Sequence, residues 1–292
     1  MFKLSQNKQG ALLFSADHQA KASIGLNEGG RLKELRLKNE LIIQDPVGMN
    51  YEQTFAAAIL FPFANRIAQG KFSFNNRDYQ LPTNEKGRAN AIHGLVYDKT
   101  FQVVDHQENK DSASISLVYK EQHPPTGFPF PYAIKLTYQL FADKLELKVN
   151  IYNTGQQDFP FTLGWHPYFY SSELNAGKLN FYPQYQVLFD KNMITKGKES
   201  AEIKTPFLIA DKNLDDCFIL QDQQIEFHSA NNRISIKSEP FHFYLQIYTP
   251  PTRDAIAIEP MTGISDSFNN KIGLQVLKAD ESYQQTWKVI KR

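Results

Sequence analysis

The chain has 292 residues, 41% hydrophobic and 22% charged, with a net charge of +1. That composition is globular, and the balanced charge argues against a nucleic-acid or anionic-membrane partner. Cys217 is the single cysteine, which excludes an intramolecular disulfide and a multi-thiolate zinc site. The first residues lack the apolar run of a secretory signal, and no stretch approaches the ~20 apolar residues of a membrane span. We therefore expect a cytoplasmic protein.

Strand patterns begin near the amino terminus, where residues 31–36 predict a short strand. Tyr51 to Leu60 predicts a short helix that ends before Pro62, because the run Ala56-Ala57-Ala58 favours helical backbone. Residues 71–74 and 79–81 flank Asn75-Asn76, and asparagine tolerates the positive φ of a tight turn. This segment therefore predicts a β-hairpin.

The clearest alternation lies in the middle of the chain. Hydrophobic residues occupy every second position of 134–140 and again of 145–151, on either side of a turn near Ala142-Asp143. Shorter strand patterns occur at 114–119, 224–228, 233–237, 242–249 and 284–290. Many short strands, without a linker or an internal repeat, predict one large all-β domain over residues 1–292, a sandwich or a barrel.

His166 is the first candidate for chemistry, because it lies in the segment Gly164-Trp165-His166-Pro167-Tyr168-Phe169. Proline fixes the local backbone, and the aromatic neighbours predict a partly desolvated groove in which an imidazole pKa can shift across the neutral range. Aromatic faces also suit the apolar face of a sugar ring. The alternative is a core histidine bonded to a backbone carbonyl.

Four further positions could bind or react with a ligand. Arg66 follows an aromatic run and offers a rigid fork of donors, although a structural ion pair would also explain it. His93 precedes Gly94, which lets the backbone approach a ligand closely, although the histidine could instead cap a turn. Asp215 and Asp216 could bind hydroxyl groups or cap the next strand.

Glu259 ends a strongly apolar alternating strand, where burying a carboxylate is costly. A raised pKa at such a position would make it a usable general base, so we favour a functional role over a structural ion pair.

In this order, Asn65-Arg66, His93-Gly94, His166-Pro167-Tyr168-Phe169, Asp215 with Phe218, and Glu259 resemble the motifs of the aldose 1-epimerase (galactose mutarotase) family. The resemblance covers essentially the whole chain. Trp165-His166-Pro167 and Glu259-Pro260-Met261-Thr262-Gly263 depart from the motifs of the well-studied galactose mutarotases and are closer to the broader bacterial branch.

The resemblance implies a large antiparallel β-sandwich of the galactose mutarotase type, with an open cleft and a small-molecule sugar as substrate. It implies that the α and β anomers are interconverted without a cofactor or a metal. Glu259 would be the base on the anomeric hydroxyl, and His166 would be the acid at the ring oxygen. Arg66 and His93 would bind the region of the ring oxygen and hydroxyls, Asp215 would bind hydroxyls farther round the ring, and Asn65 would belong to the cleft wall.

Four functions remain open at this level. The leading hypothesis is a mutarotase of a free hexose such as galactose or glucose. A hexose-6-phosphate 1-epimerase comes second, because the arginine-rich segment of that branch is not seen before Asn65-Arg66. The others are a carbohydrate-binding protein that has lost catalysis, and a glycoside hydrolase that uses Glu259 and Asp215 as its carboxylate pair. The sequence does not indicate the oligomeric state.

Overall fold

Two large antiparallel sheets carry most of the chain in the computed structural model, which describes residues 1–230, 232–241 and 243–292. In spatial order, the larger sheet contains Phe2–Gln6, Gly10–Ser15, Lys21–Gly25, Arg31–Leu37, Glu40–Gln44, Tyr168–Tyr170, Ala255–Met261, Tyr244–Tyr248, Asp215–Leu220, Pro183–Phe189 and Thr195–Ser200. The short strand Gly164–Trp165 joins it by pairing with both Ala255–Met261 and Ile59–Leu60. These strands confirm the predicted all-β fold.

The second sheet contains, in spatial order, Gln102–Glu108, Ala113–Glu121, Tyr132–Leu140, Lys144–Asn153, Ser282–Lys291, Arg233–Glu239, Ile225–His228, Lys178–Asn180 and Phe207–Leu208. Three small ribbons pair Arg66–Ile67 with Ala91–Ile92, Lys71–Phe74 with Arg77–Gln80, and Phe159–Phe161 with Gln275–Leu277. The short helices are Tyr51–Thr54 and Ser267–Asn270, with 3₁₀ turns at Ala68–Gly70 and Leu174–Ala176. None of the helices in the described ranges is long and apolar enough to cross a membrane.

The predicted hairpin at 134–151 is confirmed. Tyr132–Leu140 pairs with Lys144–Asn153, with Leu136 opposite Val149 and Tyr138 opposite Leu147. The hairpin around Asn75-Asn76 and the other predicted strands are also present, and residue 242 of the predicted strand 242–249 lies outside the described residues. Alternation predicted these elements because each strand presents one face to a core.

The predicted helix from Tyr51 to Leu60 is wrong beyond Thr54. Phe55 and Ala57 adopt left-handed backbone, with φ of 48° and 54°, which ends the helix after one turn. Ile59–Leu60 then pairs with Gly164–Trp165, so the segment supplies a strand instead. Tertiary pairing here overrides the helical preference of the three alanines.

The core lies between the two sheets, and two tryptophans connect them. Trp165 on the larger sheet and Trp287 on the second sheet are buried, with ring centroids 5.9 Å apart and planes inclined by 24°. The Tyr138 hydroxyl also donates to the Gly30 carbonyl at 2.8 Å, so an inward-facing tyrosine satisfies its polar atom. The larger sheet is therefore fixed against the second one close to His166.

Replacing Leu147 by alanine should test this core. Leu147 is fully buried and pairs with Trp287, so Leu147→Ala should lower the free energy of unfolding by about 2–5 kcal/mol. Lys148→Ala is the matched control, because Lys148 is the exposed neighbour on the same strand. Equilibrium urea unfolding followed by tryptophan fluorescence measures both, and equal losses would contradict the inward orientation of Leu147.

Candidate active site

A cleft of about 460 Å³ brings together all six residues selected from the sequence. These residues are Asn65, Arg66, His93, His166, Asp215 and Glu259. They come from different strands and loops of the larger sheet and its small ribbons. Sequence positions nearly 200 residues apart therefore meet in one cavity.

Three adjacent strands form the floor of the cleft. Gln246 lies opposite Glu259 on one side and opposite Cys217 on the other, so these three side chains share one face of the sheet. Asp215 is two residues from Cys217 and therefore lies on that same face. Asp216 does not line the cleft, and its carboxylate accepts a hydrogen bond from Gln186 at 3.0 Å.

Glu259 is the most deeply buried carboxylate of the cleft, with 2% of its surface exposed. Burial, followed by the negative charge of Asp215, raises the pKa of Glu259 well above its usual range, while Arg66 opposes this shift. Its Oε1 lies 3.4 Å from Nε2 of His166, and its Oε2 has no hydrogen-bond partner among the described residues. A buried carboxyl with a free oxygen can accept a proton from a ligand.

His166 is held by its backbone and by its aromatic neighbours. Its amide donates to Ala58 at 3.1 Å and its carbonyl accepts from Ala57 at 2.7 Å. The imidazole stacks on Tyr168, with ring centroids 5.1 Å apart. Burial lowers the pKa of His166 to about 4, and Arg66 adds to this effect.

His93 approaches the same point from a loop. Its ring packs edge-on against His166 at 5.1 Å and against Phe55 at 4.8 Å. Burial, the neighbouring His166 and Arg66 lower the pKa of His93 well below its usual value. At neutral pH the imidazoles of His93 and His166 are therefore both uncharged, so each ring carries one donor and one acceptor.

A chain of hydrogen bonds connects the polar groups beneath the cleft. Arg66 donates to Asn65 at 3.1 Å, Asn65 donates to Gln246 at 3.2 Å, and Gln246 donates to Asp215 at 2.7 Å. Burial raises the pKa of Asp215, while Arg66 lowers it and Asp216 raises it. The network fixes these side chains before any ligand arrives.

Glu85 holds Arg66 from the other side. Its Oε1 accepts from Nε of Arg66 at 2.9 Å and from Arg88 at 2.9 Å, and its Oε2 accepts from Asn90 at 2.8 Å. Glu85 thereby orients the guanidinium of Arg66, which lines the cleft.

Tyr168, one of the aromatic neighbours expected beside His166, lines the cleft, whereas several other lining residues were not predicted from the sequence: Phe55, Glu85, Gln246 and Tyr248. Gln246 carried a usable signal, because it is a polar residue between Leu245 and Ile247 in a strand pattern. Glu85 lies in an irregular loop whose course no local pattern indicates.

The arrangement can exchange protons with a polyhydroxylated ring. Glu259 and His166 can share one proton at 3.4 Å, and Arg66, His93 and Asp215 surround them with donors and acceptors for hydroxyl groups. The described residues contain no cluster of three or more histidine, cysteine, aspartate or glutamate side chains placed to hold a metal ion.

Comparison with known proteins gives one family. The family model described as aldose 1-epimerase matches residues 11–289. The chain is 34% identical to the Escherichia coli protein YphB over 110 residues, which are 38% of this chain. The matched part spans 35% of YphB, about a third of its length. It is 25% identical to E. coli YihR over 77% of this chain and 76% of YihR. It is also 28% identical to the galactose mutarotase of Mus musculus over 42% of this chain and 34% of the mouse protein.

Solved structures show the same fold. A galactose mutarotase-like protein from Clostridium acetobutylicum aligns with a TM-score of 0.88 at 21% identity, covering 100% of this chain and 98% of that one. A galactose 1-epimerase from Lactobacillus acidophilus aligns with a TM-score of 0.79 at 17% identity, covering 100% and 98%. Both confirm the galactose mutarotase-like β-sandwich.

Gly94 tests how tightly the loop of His93 is built. Gly94 has φ of +78°, and an added Cβ would lie 2.3 Å from the Phe61 carbonyl oxygen. Gly87 has nearly the same φ of +79° but open space around it. Gly87→Ala therefore measures only the loss of stability from left-handed backbone, about 1–2 kcal/mol. Thermal unfolding should show a clearly larger loss of stability for Gly94→Ala than for Gly87→Ala, and equal losses would contradict the close approach.

Proposed function

Because the chain belongs to the aldose 1-epimerase family, we propose that it interconverts the α and β anomers of a free hexose such as galactose or glucose. The observation that carries the proposal is the 3.4 Å contact between Glu259 and His166 at the base of a cleft lined by hydroxyl-binding groups. One group can take a proton from the sugar while the other returns one.

Ring opening needs two proton transfers at neighbouring oxygens. Glu259 removes the proton of the anomeric hydroxyl, and His166 gives a proton to the ring oxygen as its bond to the anomeric carbon breaks. The product is the open-chain aldehyde. Rotation about the bond between the first two carbons presents the other face of the aldehyde, and the reverse transfers close the ring as the opposite anomer.

These roles require one shared proton to lie on His166 when the sugar is bound. In the empty cleft, burial raises the pKa of Glu259 and lowers that of His166 to about 4, which places this proton on Glu259. Donation by the anomeric hydroxyl to Glu259 stabilises the carboxylate, and a ring oxygen that accepts from His166 stabilises the imidazolium. The bound sugar itself therefore favours the productive arrangement.

The remaining groups hold the ring in place. Arg66 and His93 bind the ring-oxygen region and nearby hydroxyls, Asp215 binds hydroxyls farther round the ring, and Asn65 supports Arg66 from the cleft wall. Since the network through Gln246 already orders these side chains, little conformational entropy remains to be lost on binding.

Substitution of the two proton-transfer residues should separate catalysis from binding. Glu259→Gln and His166→Asn should each lower kcat by roughly 10²–10⁴-fold, the usual contribution of a positioned acid or base. Asp215→Asn and Arg66→Ala should act partly on KM, because hydroxyl contacts stabilise ground and transition states alike. Anomer-exchange NMR with galactose and glucose measures both constants.

Circular dichroism should show that each variant is folded, and EDTA should leave the wild-type rate unchanged, since no assigned role uses a metal. A folded Glu259→Gln protein with near wild-type turnover would falsify the assignment. Sugar binding without exchange in the wild-type protein would support a carbohydrate-binding protein, and release of sugar from glycosides would support a hydrolase.

The pH dependence should reveal the coupling between Asp215 and Glu259. The negative charge of Asp215 raises the pKa of Glu259, so Asp215→Asn should lower the apparent pKa values of the Glu259–His166 pair. Both limbs of the kcat/KM profile should then move to lower pH. Asn65→Ala serves as the comparison, because it perturbs the same network without removing a charge; unmoved limbs in Asp215→Asn would contradict the coupling.

A further inference from the structure

A buried arginine contacts the segment that forms one wall of the cleft. Arg31 begins the strand Arg31–Leu37 of the larger sheet, and 2% of its surface is exposed. It does not line the cleft itself. Residues 52–55 do line the cleft, and they belong to residues 51–57, which we call the wall segment. The arginine therefore supports this wall from outside the cavity.

Two carboxylates fix the orientation of the Arg31 guanidinium. Its Nη1 and Nη2 donate to the two oxygens of Asp45 at 2.6 and 2.8 Å, and its Nε donates to Oε2 of Glu28 at 2.7 Å. Nη2 also lies 2.6 Å from that Oε2. A buried charge is costly unless it is paired, and a planar guanidinium that is bonded on two edges keeps one orientation. Arg31 is therefore a rigid donor.

The same guanidinium contacts the wall segment near both of its ends. Its Nη1 donates to the carbonyl of Ala56 at 3.2 Å, and its central carbon lies 4.1 Å from the centre of the Tyr51 ring. The Tyr51 hydroxyl is itself held, because it donates to the carbonyl of Tyr97 at 2.9 Å. Arg31 consequently connects the larger sheet to the beginning and the end of the wall segment.

The wall segment depends on such contacts for its shape. Its helix, Tyr51–Thr54, has four residues, and a helix this short is not stable by itself. Phe55 and Ala57 have left-handed backbone, with φ of 48° and 54°. This conformation costs about 1–2 kcal/mol for each residue and persists where the surrounding structure imposes it. The position of the Ala56 carbonyl, between these two residues, is therefore set from outside the segment.

One peptide group connects Arg31 to His166. The carbonyl of Ala56 and the amide of Ala57 belong to the same planar unit. This unit accepts a hydrogen bond from Arg31 at 3.2 Å and donates one to the His166 carbonyl at 2.7 Å. The carbonyl of Ala58 accepts the His166 amide at 3.1 Å. A displacement of the Ala56 carbonyl therefore moves the backbone that carries the imidazole.

We propose that Arg31 is a positioning residue that holds His166 beside Glu259 through the peptide group between Ala56 and Ala57. This inference rests on the proposed function and adds to it a residue outside the cleft. Glu259 and His166 share a proton across 3.4 Å. A misplacement of about 1 Å caused by a distant substitution can cost roughly 10²-fold in rate, so this contact is sensitive to the position of the wall segment.

Replacing Arg31 by lysine tests the role of the planar fork. Arg31→Lys keeps the charge but loses the geometry that bonds Asp45 through two nitrogens and Ala56 at the same time. It should lower kcat by roughly 10–10²-fold in anomer-exchange NMR with galactose and glucose. KM should change less, because a separate hydrogen-bond network holds Arg66 and Asp215.

Arg36→Lys is the matched control. Arg36 lies on the same strand, pairs with Glu34 at 3.3 Å and does not line the cleft. The same chemical change at this position should leave kcat at the wild-type value. Circular dichroism should show that both variants are folded at the temperature of the assay.

A titration without sugar reports the position of His166 independently of turnover. Burial lowers the pKa of His166 to about 4. A displaced wall segment admits water to the imidazole, so NMR of histidine-labelled Arg31→Lys should show this pKa raised toward about 6.5. Arg36→Lys should titrate like the wild type. The titratable and charged groups that face the imidazole are the same in all three proteins: Glu259, His93, Tyr168 and Arg66.

A second pair of variants decides the matter if Arg31→Lys does not fold. Asp45→Asn keeps Arg31 but weakens its orientation, and Glu34→Gln removes the same charge from an ion pair on the neighbouring part of the sheet. The two carboxylates are similarly accessible, with 34% and 30% of their side chains exposed. Asp45→Asn should lower kcat and raise the pKa of His166, whereas Glu34→Gln should change neither. Loss of a negative charge by itself would lower that pKa, so a rise reports the displaced wall.

The outcomes separate this inference from the proposed function. A folded Arg31→Lys protein with wild-type kcat and an unmoved His166 pKa would overturn the positioning role and leave the epimerase proposal standing. Equal losses of kcat in Arg31→Lys and Arg36→Lys would also overturn it. Absence of exchange in the wild-type protein would refute the epimerase proposal, and the titration of His166 would then decide the positioning role alone.

Discussion

The stacking of Trp165 on Trp287 is the contact on which the rest of the site depends. Trp165 enters the core between the two sheets, and its neighbour His166 consequently faces the opposite side, toward the cleft. The amide and carbonyl of His166 are fixed by Ala58 and Ala57, so its imidazole has little freedom left. Core packing, usually a matter of stability, here also positions an ionisable group.

Electrostatic balance explains how so many titratable groups share a small volume. A single buried ion is costly, but Glu259 and His166 together can hold one proton and remain neutral or form an ion pair without changing their net charge. The permanent charge of Arg66 is offset by Glu85. In the deepest part of the site the charges of the reactive groups therefore partly offset one another.

Strand alternation made the fold and much of the cleft predictable from the sequence. Glu259 was identifiable because a carboxylate interrupted an apolar strand, and His166 because aromatic residues surrounded it. Glu85 could not be located in this way, and although Gln246 interrupts an apolar strand, the sequence did not show that it lies opposite Glu259. Their positions depend on which strands are neighbours and how loops pack, and these are long-range properties that local patterns do not encode. The helix predicted for the alanine-rich segment after Tyr51 was wrong for the same reason, because the pairing of Ile59–Leu60 with Gly164–Trp165 determines the conformation of that segment.

Asn65 and His93 both adopt left-handed backbone, with φ of 58° and 63°, and the amide of His93 donates to the carbonyl of Asn65 at 2.9 Å. Asparagine, aspartate and histidine tolerate this conformation best among residues other than glycine, whereas β-branched residues do not. The backbone conformation, as well as the chemistry of the site, therefore limits which substitutions these two positions accept. A descendant released from selection for catalysis would first accept asparagine, aspartate or glycine at position 93, and valine or threonine only after the loop itself had been rebuilt.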